Sequence, residues 1–78
     1  NITTLRGLEP TATPTEIEAA ARQYVRKVSG VQSVSATTEA AFERAVREIT
    51  DSTTQLLADL PPRKVPPPTL PPLRRLAR

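Results

Sequence analysis

The chain has 78 residues, which limits it to one small domain. It carries 11 basic and eight acidic side chains, a formal charge of +3 at neutral pH, and it contains neither cysteine nor histidine. These absences exclude disulfides and thiol nucleophiles, nearly exclude a zinc site, and remove the usual imidazole base of a serine nucleophile. Only two glycines are present, too few for a glycine-rich phosphate loop. We therefore predict a protein that is not an enzyme and needs no metal or cofactor.

Hydropathy indicates that the chain does not cross a membrane. No stretch approaches the roughly 20 consecutive apolar residues of a membrane span, and no apolar run fits a signal peptide. The lack of cysteine agrees with a reducing compartment. We expect a cytoplasmic protein.

Charge and proline divide the chain into two parts. Residues 1–60 carry six basic and all eight acidic side chains, a net charge of −2. Residues 61–78 carry five basic side chains, no acidic ones and seven of the nine prolines, a net charge of +5. We predict a helical domain over the first part and a basic, proline-rich tail over the second.

The first helix signal is a capping box. Thr13 and Glu16 are spaced for it, and Pro14 between them suits the first helical position. Six apolar residues then follow at helical spacing: Ile17, Ala20, Ala21, Tyr24, Val25 and Val28. Gly30 is a natural stop. The sequence predicts a helix over residues 14–29.

A second helical stripe lies in residues 38–60 and is stopped by the two prolines that follow. Its members are Phe42, Ala45, Val46, Ile49, Thr53, Leu56, Leu57 and Leu60. Thr37 or Thr38 is placed to cap its start. Residues 51–54 are poor helix formers, so we expect the helix to bend or fray there.

Ahead of the first helix, Ile2, Leu5 and Leu8 recur every three residues and predict a short turn that caps one end of the core. The expected fold class is all-α: an antiparallel helical hairpin of residues 14–29 and 38–60, this N-terminal capping segment, and an extended tail rich in proline and arginine. Such a hairpin has one Phe and one Tyr and buries little apolar surface, so its stability margin is thin. We expect self-association or a larger partner to supply further contacts.

Seven apolar residues of the hairpin are candidates for the core or for a partner contact, and of these the two aromatic residues are favoured as core. The seven are Ile17, Tyr24, Val28, Phe42, Ile49, Leu56 and Leu57. The arginines and glutamates of the two helices are expected to form a solvated face.

Three stretches of the first part resemble a known family. Residues 1–10, residues 20–30 (AARQYVRKVSG) and residues 39–45 (EAAFERA) are similar to small bacterial proteins of unknown function, common in actinobacteria, whose members typically begin Met-Cys-Arg-Asn-Ile. The resemblance covers about residues 1–60 and leaves the tail outside the shared part. It implies no activity, because none is assigned to the family.

A weaker resemblance is to J domains. Residues 8–17 (LEPTATPTEI) are similar to the start of the second J-domain helix, and residues 39–46 to the start of the third. J domains use His-Pro-Asp after the second helix to trigger a chaperone ATPase, whereas residues 27–31 read KVSGV. The resemblance therefore implies a docking module without the trigger; capped helical hairpins also converge on such patterns.

The tail, PPRKVPPPTLPPLRRLAR, is expected to be extended, because its prolines favour polyproline II and forbid a helix through residue 72. Its leucines suit an apolar groove on a large protein, and its cations suit either the acidic rim of such a groove or RNA phosphates. Its composition is also compatible with a free solvated end, with a ligand of a proline-reading domain and with contact to a membrane surface. The candidate partner-binding residues of the tail are Arg63, Lys64, Leu70, Leu73, Arg74, Arg75, Leu76 and Arg78.

The leading hypothesis is a non-enzymatic accessory subunit that docks on a larger cytoplasmic assembly by its apolar helix face and wraps that assembly with the tail. The rival is an RNA- or ribosome-associated protein that uses the tail on phosphates, whose binding would weaken steeply with salt. A third hypothesis is a degenerate J-domain adaptor, which would bind a chaperone ATPase without stimulating hydrolysis.

Overall fold

The computed structural model describes residues 2–63 and 65–76. Two long helices, α1 (Pro14–Ser29) and α2 (Glu39–Asp59), pack against each other as a hairpin, and a short helix, α3 (Pro72–Leu76), lies near the end of the tail. The rest of the described chain consists of turns and irregular segments. The predicted all-α helical hairpin is confirmed. Two of the predicted tail residues, Lys64 and Arg78, fall outside the described ranges.

The bounds of α1 are those predicted from its caps. The Thr13 hydroxyl accepts a hydrogen bond from the Glu16 amide at 3.1 Å, and the Glu16 carboxylate accepts one from the Thr13 amide at 2.9 Å. At the other end, Gly30 adopts the left-handed conformation with φ of +73°, and its amide donates to the Arg26 carbonyl at 2.9 Å. Both ends are therefore closed by local hydrogen bonds, which is why a short sequence window was enough to find them.

The predicted cap of α2 is not used. Thr38 precedes the helix, but its hydroxyl accepts from the Ser35 amide at 2.9 Å instead of capping a helical amide. The expected fraying at residues 51–54 is not seen, because the helix continues through them, and the Thr50 and Thr54 hydroxyls donate back to carbonyls four residues earlier, at 2.6 and 2.8 Å. The helix is continuous, and it ends at Asp59, before the two prolines.

The hairpin core is small. Its buried residues are Ala21, Val25, Phe42 and Val46, with Val31, Ala45 and Ile49 packed against them. On one flank of the hairpin, the Arg22 guanidinium donates to both Glu43 carboxylate oxygens at 2.9 Å and lies 5.7 Å from the Phe42 ring centroid. This flank is therefore closed by a bidentate ion pair.

Residues 2–12, the N-terminal segment, complete a second apolar cluster. Leu5 and Leu8 are buried against Ile17, and a backbone hydrogen bond from the Leu8 amide to the Leu5 carbonyl, at 3.4 Å, closes the turn between them. Ala12, Ala20 and Leu57 pack against the same cluster. The segment thus covers the end of the hairpin where α1 begins and α2 ends, as its leucine spacing predicted, although Ile2 stays exposed.

The described part of the tail, residues 61–63 and 65–76, folds back over the N-terminal segment, and we call it the strap. Arg6 donates to the Pro61 carbonyl from Nε at 3.0 Å and from Nη2 at 2.7 Å. Further along the strap, Pro67 and Pro71 are buried. The N-terminal segment is therefore held between the hairpin below and the strap above, and the strap supplies contacts that the sequence had led us to expect from a partner.

The strap also differs from the fully extended tail that was expected, because its last described residues form α3. The amide N–H of the first helical residue has no partner within the helix. Proline, which lacks this N–H, can therefore occupy the position without losing a helical hydrogen bond, and Pro72 begins α3. The Arg74 and Arg75 amides donate to the Pro71 carbonyl at 3.0 and 3.2 Å.

A substitution at Gly7 tests whether the strap packs against the N-terminal segment. Its φ is +88°, and an added Cβ would lie 2.8 Å from the Cβ of Arg63. Gly7→Ala is expected to lower the free energy of unfolding by about 2 to 3 kcal/mol, from backbone strain and displacement of the strap. Gly30→Ala is the matched control, because Gly30 has φ of +73° with nothing within 4 Å of the added Cβ. We expect a loss of about 1 to 2 kcal/mol there, from strain alone.

Urea unfolding of both glycine variants measures the difference. Adding Arg63→Gly to Gly7→Ala removes the opposing Cβ and should recover the part of the loss that comes from the strap. Equal losses at the two glycines, with no recovery in the double variant, would show that the strap does not lie on Gly7.

Candidate interaction surface

A buried ion pair ties the strap to the start of α1. The Arg74 guanidinium donates to the Glu16 carboxylate from Nε at 2.6 Å and from Nη2 at 3.0 Å. The side chains of Arg74 and Glu16 are only 16% and 6% exposed. The same Nη2 donates to the carbonyls of Pro10 and Thr11 at 2.6 and 3.2 Å. Arg74 therefore joins three parts of the chain: α3, the N-terminal segment and the first turn of α1.

Glu16 serves two structural roles at once. One of its oxygens caps the Thr13 amide, and both oxygens accept hydrogen bonds from Arg74. The hydrogen bonds from Arg74 lower the pKa of Glu16, against the opposing effect of burial, and the bond from the Thr13 amide lowers it further. The carboxylate is therefore held in its charged form. The remaining Arg74 nitrogen, Nη1, is buried and has no hydrogen-bond partner among the described residues, which is a cost of this arrangement.

Because the strap is fixed in this way, α3 stands beside α1 and encloses a groove of about 260 Å³. The apolar lining of the groove includes Ala19 and Ala20 of α1, Ile2 of the N-terminal segment, and Pro71, Pro72 and Leu73 of the strap. Glu16 lies in its wall and is neutralised by Arg74. Arg26 also lines the groove. Among the described residues, the Arg26 side chain has neither a hydrogen bond nor an ion pair.

A larger cavity, of about 440 Å³, lies between the N-terminal segment and the end of α2. Its charged lining residues are Arg6, Glu9 and Arg63. Arg6 is engaged with the Pro61 carbonyl, and the two arginines and one glutamate give no pair of carboxylates for acid–base chemistry. Within residues 2–63 and 65–76 there is likewise no group of three or more acidic side chains that could hold a metal ion.

Three exposed apolar side chains lie on the flank of the hairpin opposite the Arg22–Glu43 pair. Tyr24 follows Arg22 by two residues, about 200° around α1, and Leu56 follows Glu43 by thirteen, about 220° around α2. Both side chains therefore point away from the ion pair. Tyr24, Val28 and Leu56 are 46%, 64% and 54% exposed, and we call these three residues the apolar flank.

The structure separates the seven candidate residues of the hairpin. Ile17 and Phe42 are buried, and Ile49 and Leu57 pack at the edges of the two clusters. Tyr24 was favoured as core, and this prediction is wrong. Tyr24 lies on the apolar stripe of α1. The part of the stripe that faces α2 and the part that faces the N-terminal segment are covered, but Tyr24 is in neither part. Val28 and Leu56 are exposed for the same reason.

The tail candidates are not brought together into one surface. Arg74 is consumed in the buried ion pair, and the side chain of Arg63 lies against Gly7. Leu70 and Leu73 are partly exposed, and Arg75 is exposed beside a shallow cavity near Ile2. Leu76 is the last residue of α3.

Sequence reasoning missed the second role of Glu16, and it missed Arg6 and Arg26 altogether. A signal for the first was available: the tail has five cations and no acid, so any arginine buried there needs a carboxylate from the first part of the chain. Nothing in the sequence selected Glu16 from the eight acidic residues.

A comparison with protein families identifies the family of this chain. The sequence profile of a family described as uncharacterized conserved proteins, DUF2277, matches residues 1–78. The chain belongs to the DUF2277 family. The match includes the proline-rich tail, so the expectation that the tail lies outside the shared part is corrected. No curated protein and no solved structure matches this DUF2277 chain. In the part of the chain that the structure describes, no helix has both the length and the apolar composition to span a bilayer.

Proposed function

We propose that this DUF2277 protein is a non-enzymatic accessory subunit that docks on a larger cytoplasmic protein assembly through the apolar flank. The observation that carries the proposal is the exposure of Tyr24, Val28 and Leu56, three large apolar side chains on one side of a hairpin whose opposite side is closed by an ion pair. Aromatic and aliphatic side chains of this kind supply the anchors of protein interfaces.

The proposal assigns the tail a different task from wrapping a partner. The strap covers the N-terminal segment of its own chain, and that segment completes the second apolar cluster. Its role is to keep the hairpin rigid, so that the apolar flank is presented without an ordering cost on binding. Partner contacts from the tail are then limited to its exposed residues, such as Leu70 and Arg75.

The same contacts favour a protein partner over RNA. RNA binding through the tail requires basic side chains that are available to contact phosphates. Of the three tail arginines that the structure describes, Arg74 is paired with Glu16 inside the protein, while Arg63 and Arg75 are exposed. The described part of the tail therefore has one cation fewer for phosphates than its composition indicated, whereas the apolar flank is exposed.

The test compares two double variants of the tagged protein in its native host. Tyr24→Lys with Val28→Lys places two charges on the apolar flank. Gln32→Lys with Thr37→Lys places the same two charges on the exposed connection between the helices and is the matched control. Quantitative mass spectrometry of cross-linked complexes should show one specific protein partner lost at least tenfold in the first variant and retained in the second. Circular dichroism checks that both variants are folded.

Several results would contradict the proposal. One is equal recovery of the partner with both variants, and another is recovery of RNA that is lost steeply as salt rises. Recovery of a chaperone ATPase whose hydrolysis is unchanged would favour the degenerate J-domain adaptor. A protein that purifies only with itself, and whose self-association is lost in Tyr24→Lys with Val28→Lys, would assign the apolar flank to a homodimer.

A further inference from the structure

The groove between α1 and α3 is separate from the apolar flank and has its own recognition chemistry. Its floor is made of two alanines, Ala19 and Ala20, so the backbone of α1 lies close to whatever enters. Its lips include Ile2 and Leu73, which are both partly exposed and point apolar surface towards solvent. An incoming apolar side chain would cover this surface.

The groove is formed before anything binds. Its outer wall is Pro71, Pro72 and Leu73, and this wall is fixed by the buried pair of Arg74, the next residue, with Glu16. Two prolines stiffen the wall further because their φ angles are locked. Binding therefore requires little ordering of the protein, which favours affinity for a small ligand group.

The volume of the groove sets the size of that group. At about 260 Å³, it lies below the roughly 300–1,000 Å³ that is typical of sites for whole small molecules. This volume is large enough for one side chain of the size of leucine or phenylalanine. A peptide that inserts a single anchor residue fits this space better than a cofactor does.

The charge of the groove sets the flanking chemistry. Glu16 is neutralised by Arg74, which leaves Arg26 as the uncompensated charge among the lining residues. Arg26 is near enough to Glu43 to lower its pKa, but both oxygens of that carboxylate are already bound by Arg22. Because Arg26 has no ion pair among the described residues, it can pair with a carboxylate supplied by a ligand.

We propose that this groove binds a peptide segment of a partner protein, with one leucine- or phenylalanine-sized side chain inserted between α1 and α3 and a neighbouring acidic side chain paired with Arg26. The site does not depend on the apolar flank, so it stands whether or not the flank is the main docking surface.

Two matched tripeptides test the proposal by NMR on the full chain: acetyl-Glu-Leu-Glu-amide and its neutral counterpart acetyl-Gln-Leu-Gln-amide. The acidic peptide should produce saturable shifts at the amides of Ala19, Ala20 and Leu73, with a dissociation constant on the order of millimolar. The neutral peptide should bind about three- to tenfold more weakly. In Arg26→Gln, the two peptides should bind equally.

Ala19→Phe provides the steric control. Ala19 is exposed at the groove and belongs to neither apolar cluster, so phenylalanine there should fill the groove and abolish the shifts while the fold and the apolar flank are unchanged. The proposal is overturned if the acidic peptide gives no saturable shifts, if both peptides bind wild type equally, or if the shifts persist in Ala19→Phe. None of these results bears on Tyr24 or Val28, so failure here is distinct from failure of the proposed docking.

Discussion

Phe42→Ala is expected to lower the free energy of unfolding by about 3 to 5 kcal/mol, the usual cost of deleting a buried phenyl ring. Phe42 is one of four residues that form the buried core of the hairpin, together with Ala21, Val25 and Val46. The cavity would not refill, because two of these neighbours are a small alanine and a stiff valine on the opposing helix. For 78 residues the total stability is on the order of 4 to 12 kcal/mol, so a large share would be lost.

Tyr24→Ala is the matched control for this loss, because it also deletes an aromatic ring from a helix of the hairpin. Since Tyr24 is 46% exposed and outside both clusters, we expect a loss below about 1.5 kcal/mol. Urea unfolding followed by circular dichroism measures both variants. Similar losses at the two positions would mean that Tyr24 is buried in solution, by self-association or by a different packing of the hairpin.

Arg74→Ala is expected to cost about 2 to 4 kcal/mol, because it leaves the Glu16 carboxylate buried without its cation. The neighbouring Arg75 is exposed, so Arg75→Ala should change the stability by less than about 0.5 kcal/mol. Adding Glu16→Gln to Arg74→Ala removes the unpaired charge while keeping a side chain that can cap Thr13. The double variant should therefore be more stable than Arg74→Ala alone, a non-additive result.

The pH dependence of stability identifies the carboxylate responsible. Arg74 holds the folded-state pKa of Glu16 below its ordinary value of 4.5, so the folded state binds the Glu16 proton less readily than the unfolded state does. The stabilisation is fully present above about pH 4.5 and is lost as pH falls through the lowered folded-state pKa. The deficit of Arg74→Ala relative to wild type should therefore be largest at neutral pH and shrink in acid. A deficit that does not vary between neutral pH and pH 3 would show that packing, and not the ion pair, accounts for the loss.

The parts of the fold that were predictable are those with local causes. The bounds of α1 follow from Thr13, Glu16 and Gly30, each within three or four residues of the atoms that it caps. The hairpin follows from two apolar stripes and a short connection that is long enough for the chain to turn back. Leu5 and Leu8 were placed over the core by their spacing alone, and the structure buries both.

The parts that were not predictable depend on distant pairs. Arg74 and Glu16 are 58 residues apart, and Arg6 and Pro61 are 55 apart. Local sequence identifies Glu16 as a cap but gives no sign that its carboxylate has room for a second partner. The burial of Tyr24 was predicted wrongly for a related reason. Helical periodicity shows which face of α1 is apolar, but it does not show how much of that face one neighbouring helix can cover.

The two partners of Glu16 become available at different times during synthesis. Thr13 precedes Glu16 by three residues, so the capping box can form as soon as the first turn of α1 exists. Arg74 is added 58 residues later, after the whole hairpin. A nascent chain can therefore form the capped first turn of α1 well before it has the wall that closes the groove. Binding to the groove would begin only after Arg74 has been added to the chain. A partner that binds in the groove would therefore distinguish unfinished copies of this region from completed ones.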